Sequence, residues 1–217
     1  METRHIDAKI LLISVSAVFT LDLILTAASF RLPEYRLWLL AGARMVETAL
    51  LAGIVRFQTG NLACLGLTKD RILTGLYRGM LWSSYFAVFA ALLALGLMMF
   101  HIDPLRLFHV WFPAGNMVLF FVVGSLLGPV AEEFFFRGVI YGYLRSWGVG
   151  WALLGSTAAF AAAHSFSGVP VTQIIGGLAF AVAYEIEKNL MVPIVVHVLG
   201  NTALFVITLG ARPVCMP

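Results

Sequence analysis

Residues 129–142 read PVAEEFFFRGVIYG and lie inside an apolar run that begins near Asn116. Two adjacent carboxylates, Glu132 and Glu133, and one guanidinium, Arg137, stand in a segment otherwise suited to lipid. A charge at the centre of a bilayer costs about 2.5–3.5 kcal/mol on insertion scales, so these groups need partners or a water-filled cavity. Glu133 and Arg137 are four apart, which on a helix puts them on one face as an ion pair. Glu132 points about 100° away and has no partner in its own helix, so it is left to face a cavity lined by other helices. The plainer reading is that both glutamates only clasp neighbouring helices. Two buried acids against one base leave a group in need of a proton or water, and this favours the cavity.

The rest of the chain agrees with a membrane setting. Of 217 residues, 61% are hydrophobic and only 12% charged, with mean hydropathy +0.94, too little polar surface for a soluble globule. The net charge of +3 comes from basic residues placed mostly between apolar runs, where they set topology; nucleic-acid binding is not indicated. Cys64 and Cys215 form neither a disulfide framework nor a metal motif, and Cys215 is one position too late for a prenylation box. The first apolar run is too long for a cleaved signal and reads as a retained helix.

Counting stretches of about twenty apolar residues gives spans near 10–28, 37–55, 79–100, 116–145, 149–164, 171–184 and 190–209. The expected fold is all-α: a polytopic transmembrane bundle of about seven spans in a single domain, 1–217. Asp22 lies in the first span. Arg44 and Glu47, three apart in the second, read as a neutralised pair with Asp22 as a third partner. Residues 56–78 are polar enough to be expected as an external connection with at most an interfacial helix. Residues 101–113 form a Pro-bounded connector whose Trp111 and Phe112 suit the lipid interface, with His101 and His109 as solvated residues. Gly128-Pro129 is expected to kink or break the fourth span just before the acidic pair, and Gly138 and Gly142 to admit a close neighbouring helix.

Three further polar groups lie on later spans. His164 ends FAAAH, and His197 and Asn201 lie four apart in HVLGN on one helical face. Together with Glu132 they suit attack on a peptide bond. A carboxylate in a partly dry pocket can take a proton from water. His164 can hold that water or deliver a proton to the leaving amine, and His197 and Asn201 can donate hydrogen bonds to the oxygen of a tetrahedral intermediate. Glu133 and Arg137 would brace the helix that carries the base. The rival chemistry is a metal site with His164, His197 and a glutamate as ligands, which spacing alone does not exclude. HExxH, GxSxG and glycine-rich phosphate loops are absent from the sequence.

EExxxR at 132–137, FxxxH at 160–164 and HxxxN at 197–201 occur in the order and approximate separation of the CPBP family, which this chain therefore resembles. That family includes the type II CAAX prenyl proteases and the bacteriocin-processing and abortive-infection-related membrane proteins. The resemblance covers the latter half of the chain, with a family-like core at about 116–210. It implies a glutamate-dependent intramembrane endopeptidase in which Glu132 and His164 activate water, His197 and Asn201 stabilise the oxyanion, and Glu133 and Arg137 support the site. No cofactor is expected, with metal dependence the minor variant because the family was long described as metalloproteases. The resemblance is also compatible with cleavage of prenylated CaaX proteins and with a non-catalytic binding or scaffold role.

With the seven expected spans, eight Lys and Arg fall on the N-terminal side (Arg4, Lys9, Arg56, Lys69, Arg71, Arg78, Arg145, Lys188) and four on the other (Arg31, Arg36, Arg106, Arg212). The N-terminus is therefore expected in the cytoplasm. Glu132 and His197 are expected near the middle of their spans and His164 near the external end of its own. An external opening favours a sorting tail or leader of an exported protein, processed at a prokaryotic inner membrane. The expected partners are a protein or peptide substrate and the lipid bilayer.

Overall fold

A computed structural model describes residues 6–103, 116–164 and 171–210. Among them every regular element is helical, and the helices form seven courses: α1 (Ala8–Arg31), α2 (Arg36–Thr59), α3 (Lys69–Met99), α4 (Met117–Trp147), α5 (Val149–Ala163), α6 (Val171–Glu187) and α7 (Met191–Gly210). Five of these, α1 to α4 and α7, have the length and apolar content to cross a membrane. The fold is thus a helical membrane bundle, as the spacing of the apolar runs indicates. The residues around Trp111 and His109 lie outside the described part.

Local chemistry sets several helix ends. The Asp7 side chain accepts from the Ile10 amide at 2.8 Å and caps α1. Leu32 and Pro33 stop that helix, since proline disfavours a helical residue before it. Gly60, at φ +87°, closes α2 in the left-handed conformation that favours glycine.

The third helix differs from the sequence expectation. It begins at Lys69, so Arg71 and Arg78 belong to a helix of 31 residues and not to an external loop. At 1.5 Å per residue it is about 46 Å long against a hydrocarbon thickness of about 30 Å, and its first turns stand beyond the lipid. Their polar side chains are used. Arg71 donates to the Glu187 carbonyl at 3.0 Å, Arg78 pairs with the Glu187 carboxylate at 2.9 Å, and the Trp82 indole donates to the same carboxylate at 2.9 Å.

The fourth helix also departs from expectation, because Gly128-Pro129 does not break it. Gly128 stays right-handed at φ −58°, ψ −58°, and the chain widens into π-helix on both sides, over Val122–Leu127 and Phe134–Tyr141. A wide turn accommodates the missing proline donor within one continuous helical course. A Cβ on Gly128 would lie 3.0 Å from the Val123 carbonyl, so the widened turn favours glycine there.

Gly138 and Gly142 receive side chains from connecting segments and not a helix: an added Cβ at Gly138 would meet Leu65 at 3.6 Å and Leu190 at 3.7 Å, and one at Gly142 would meet Ile6 at 2.8 Å. The close helix pair is elsewhere. α3 packs along α7, and Cβ atoms at Gly75 and Gly79 would come within 2.6 Å of Asn189 and Val195. Small residues at such crossings let backbones approach.

One end of the bundle is tied together. The Leu190 amide donates to the Leu65 carbonyl at 3.0 Å, and Asn189 donates to the Arg71 carbonyl at 2.9 Å. Glu185 takes the Tyr141 hydroxyl and the Arg145 guanidinium. With Ile6 seated on Gly142, the N-terminal segment, the α2–α3 connection, the end of α4 and the α6–α7 turn all gather at this end.

Candidate active site

The carboxylate pair is carried by the stretch Gly128–Glu133 between the two π-widened segments of α4. Glu133 and Arg137 are both fully buried and form the expected ion pair, with Arg137 Nη1 3.0 Å from Glu133 Oε1. The other guanidinium nitrogen donates to the Gly177 carbonyl of α6 at 3.0 Å. The cation lies over the rings of Phe160 at 4.7 Å, Phe180 at 5.3 Å and Phe136 at 5.9 Å. A positive charge over aromatic faces gains attraction without water, which is how Arg137 is held in a dry interior.

Glu132 is separate from this pair and 23% exposed. Two imidazoles approach it: His197 Nε2 lies 3.7 Å from Oε2, and His164 Nε2 lies 4.0 Å from Oε1. Both rings are fixed through their other nitrogen. His197 Nδ1 is 2.8 Å from Glu133 Oε1, and His164 Nδ1 is 2.8 Å from the Phe160 carbonyl. Carbonyl and carboxylate oxygens only accept, so each Nδ1 carries its hydrogen and each ring turns its Nε2 toward Glu132. The 3.7 and 4.0 Å gaps exceed a direct hydrogen bond and are of the length that a water bridges. Phe180 stacks on His197 at 4.5 Å between centroids, and Phe160 contacts both imidazoles.

The structure therefore brings Glu132, Glu133, Arg137, His164 and His197 together. Asn201 is placed differently. Its amide donates to the Gly124 carbonyl at 2.9 Å, inside the first π segment, where the widened backbone offers an acceptor. An amide nitrogen has two hydrogens, so one remains for a second acceptor. Among the described residues no group of three His, Cys, Asp or Glu side chains gathers closely enough to hold a metal ion.

Helix length explains how a residue at a helix end reaches an interior site. At 15 residues α5 extends about 22 Å, short of the hydrocarbon thickness, so His164 at its C-cap stays at the depth of Glu132. His197 is the seventh of the twenty residues of α7. Phe180 and Gly177 carry no motif signal, and only the tertiary packing of α6 reveals them. Phe160, four residues before His164, was within reach of an i,i+4 reading. Asp22, Arg44 and Glu47 connect as expected: Arg44 bonds Glu47 and stands 3.7 Å from Asp22.

This is a multi-pass membrane protein with acids and imidazoles gathered inside a helical bundle. Residues 113–203 match the family model described as type II CAAX prenyl endopeptidase Rce1-like, with the EExxxR, FxxxH and HxxxN segments inside the match. Among curated proteins it is similar to the membrane-embedded CAAX protease MroQ of Staphylococcus aureus (strain USA300), with 38% identity over 91 residues, 38% of this chain and 36% of that protein. It is also 33% identical over 97 residues to YdiL of Bacillus subtilis (strain 168), described as a membrane peptidase, covering 44% of this chain and 39% of YdiL. The chain thus spans less than two fifths of the length of either relative. No solved structure matches it.

Proposed function

We propose that the protein is a glutamate-dependent intramembrane endopeptidase that works without a metal. The observation that carries this reading is the convergence of two imidazole Nε2 atoms on one partly exposed carboxylate, at 3.7 and 4.0 Å. Water held between Glu132 and His164 attacks the scissile carbonyl while Glu132 takes its proton. The negative oxygen that forms is met by the free amide hydrogen of Asn201 and by His197, which can carry a second proton because Glu133 supports the imidazolium through Nδ1. His164 passes the proton from Glu132 to the leaving nitrogen as the C–N bond breaks. One water is consumed, and a carboxylate and an amine are formed. The relatives' names, a CAAX protease and a membrane peptidase, support the reaction class.

The substrate we favour is the sorting tail or leader of an exported protein. Seven basic residues among those described, Lys9, Arg56, Lys69, Arg71, Arg78, Arg145 and Lys188, belong to the end where the N-terminal segment, the α2–α3 connection and the α6–α7 turn meet, which argues for a cytoplasmic N-terminus in a prokaryotic inner membrane. His164 then opens the site toward the opposite side. Mass spectrometry of protein termini from cells carrying wild-type or Glu132→Gln protein at equal level tests this reading. A terminus trimmed only with wild type supports hydrolysis and names the bond. A trimmed prenylated C-terminus in place of an exported one would replace the substrate class, and identical termini with another phenotype present would sink the enzyme reading.

A further inference from the structure

The reaction above needs one atom, His197 Nε2, to stay turned toward Glu132, which it faces at 3.7 Å. The hydrogen bond from Nδ1 to Glu133 at 2.8 Å anchors one corner of that ring. The ring torsion of a histidine has broad, shallow minima, so its plane is set by what lies against its faces. Phe180 of α6 lies there, outside every motif that the sequence displays. Its ring stacks on the imidazole at 25° with centroids 4.5 Å apart, and Phe160 meets the same imidazole edge-on, at 79° and 5.8 Å. Stacked and edge-to-face contacts are the two arrangements that aromatic rings prefer.

Local geometry on α6 delivers the ring. Helical side chains lean toward the N-terminus of their own helix, and Phe180 lies back over the turn that holds Gly176 and Gly177. A Cβ at Gly176 would sit 3.5 Å from Phe180 Cζ, and one at Gly177 would come within 3.2 Å of Phe160 and 3.3 Å of Thr157. The bare Gly177 thus lets α6 close on α5, and its carbonyl takes Arg137 at 3.0 Å. Phe180 itself is partly exposed, unlike the fully buried Glu133 and Arg137. We propose that Phe180 is a positioning residue for His197: its flat face holds the imidazole plane so that Nε2 stays turned toward Glu132. The use of Nε2 in the reaction rests on the function proposed above, whereas the fixing of the ring does not.

The ring can be read without any substrate. An imidazole N–H that is ordered and hydrogen-bonded to a carboxylate gives a far-downfield proton signal, observable in full-length protein carrying nitrogen-15 histidine in detergent micelles. The signal lost in His197→Asn belongs to Nδ1 of His197. Phe180→Leu keeps apolar bulk but offers no flat face. It is expected to abolish that signal while the thermal midpoint stays within a few degrees of wild type, and Phe180→Tyr, which keeps the face, is expected to retain it. On the peptide identified from the trimmed terminus, Phe180→Leu is expected to lower kcat about tenfold or more with KM within about twofold, since displacing a reacting group costs rate more than binding. A residue that only fills space would lower the midpoint and leave the signal and kcat as they are. An unchanged signal or an unchanged kcat in Phe180→Leu overturns the proposal, as does a Phe180→Tyr protein that loses both. Should Phe180→Leu not fold, Phe180→Met, unbranched and better able to fill the gap, decides by the same two readouts. A wild-type protein that cuts nothing, but gives the signal and loses it in Phe180→Leu, removes the endopeptidase reading and leaves the fixing of the ring standing.

Discussion

Glu133 serves two partners through one oxygen, since Oε1 meets both Arg137 at 3.0 Å and His197 at 2.8 Å. Removing it leaves a buried guanidinium without its counter-charge, which typically destabilises by about 3–5 kcal/mol. Glu133→Ala is therefore expected to lower the thermal midpoint of the purified protein strongly, while Glu132→Gln, whose side chain is partly exposed and nearly the same size, leaves it within a few degrees. Comparable losses in both would show that the two glutamates do not have separate roles. Arg137→Lys is expected to behave like a loss and not a conservative change. An ammonium cannot reach both Glu133 and the Gly177 carbonyl while lying flat among Phe136, Phe160 and Phe180. Thermal unfolding checks this too, and a wild-type midpoint would contradict it. The sequence made the Glu133–Arg137 pair legible because helical spacing alone brings them together. It left the His197–Glu133 bond and the Phe180 stack hidden, since both depend on how α6 and α7 dock against α4 and no local pattern encodes that.

Helices are placed by glycine contacts and by widened turns. α3 and α7 meet where Gly75 and Gly79 leave no room for a Cβ, so Gly79→Leu is expected to force the helices apart and to cost about 1–3 kcal/mol. A cysteine pair engineered across α3 and α7 near these positions should then cross-link more slowly than in the parent. Unchanged cross-linking would mean that the two helices do not pack as described. Apolar periodicity located all seven helices but, besides the Gly138 and Gly142 contacts, misjudged two features that each have a physical cause. Arg71 and Arg78 look like loop residues if every helix is assumed to stop at the lipid boundary, yet a helix can run on once its charges find Glu187. Gly128-Pro129 looks like a break until the chain answers with π turns, and the Gly124 carbonyl then meets Asn201 on α7.

For the whole molecule, the contacts at one end bind together segments that the sequence could assign to a common side only by counting spans. Single cysteines placed at Asn61, Gly148 and Lys188 in a cysteine-free background are expected to share one accessibility toward a membrane-impermeant maleimide, and cysteines at Arg36 and Ile102 the opposite one. In intact cells the first group should be protected. Labelling of the first group alone would reverse the orientation and turn the His164 opening toward the cytoplasm, whereas mixed accessibility within a group would contradict the bundle itself. Chelation offers a second check at this scale: peptidase activity should survive prolonged treatment with 1,10-phenanthroline, and loss that zinc restores would favour the metal chemistry that spacing alone left open. The central claim is that Glu132 activates water to cut a peptide bond. The most direct test uses the peptide identified from the trimmed terminus, incubated with purified wild type or Glu132→Gln in water enriched in oxygen-18. The account predicts one heavy oxygen in the new C-terminal carboxylate with wild type, and a rate at least about a hundredfold lower with the folded variant. A folded Glu132→Gln protein that cuts at the wild-type rate would contradict it.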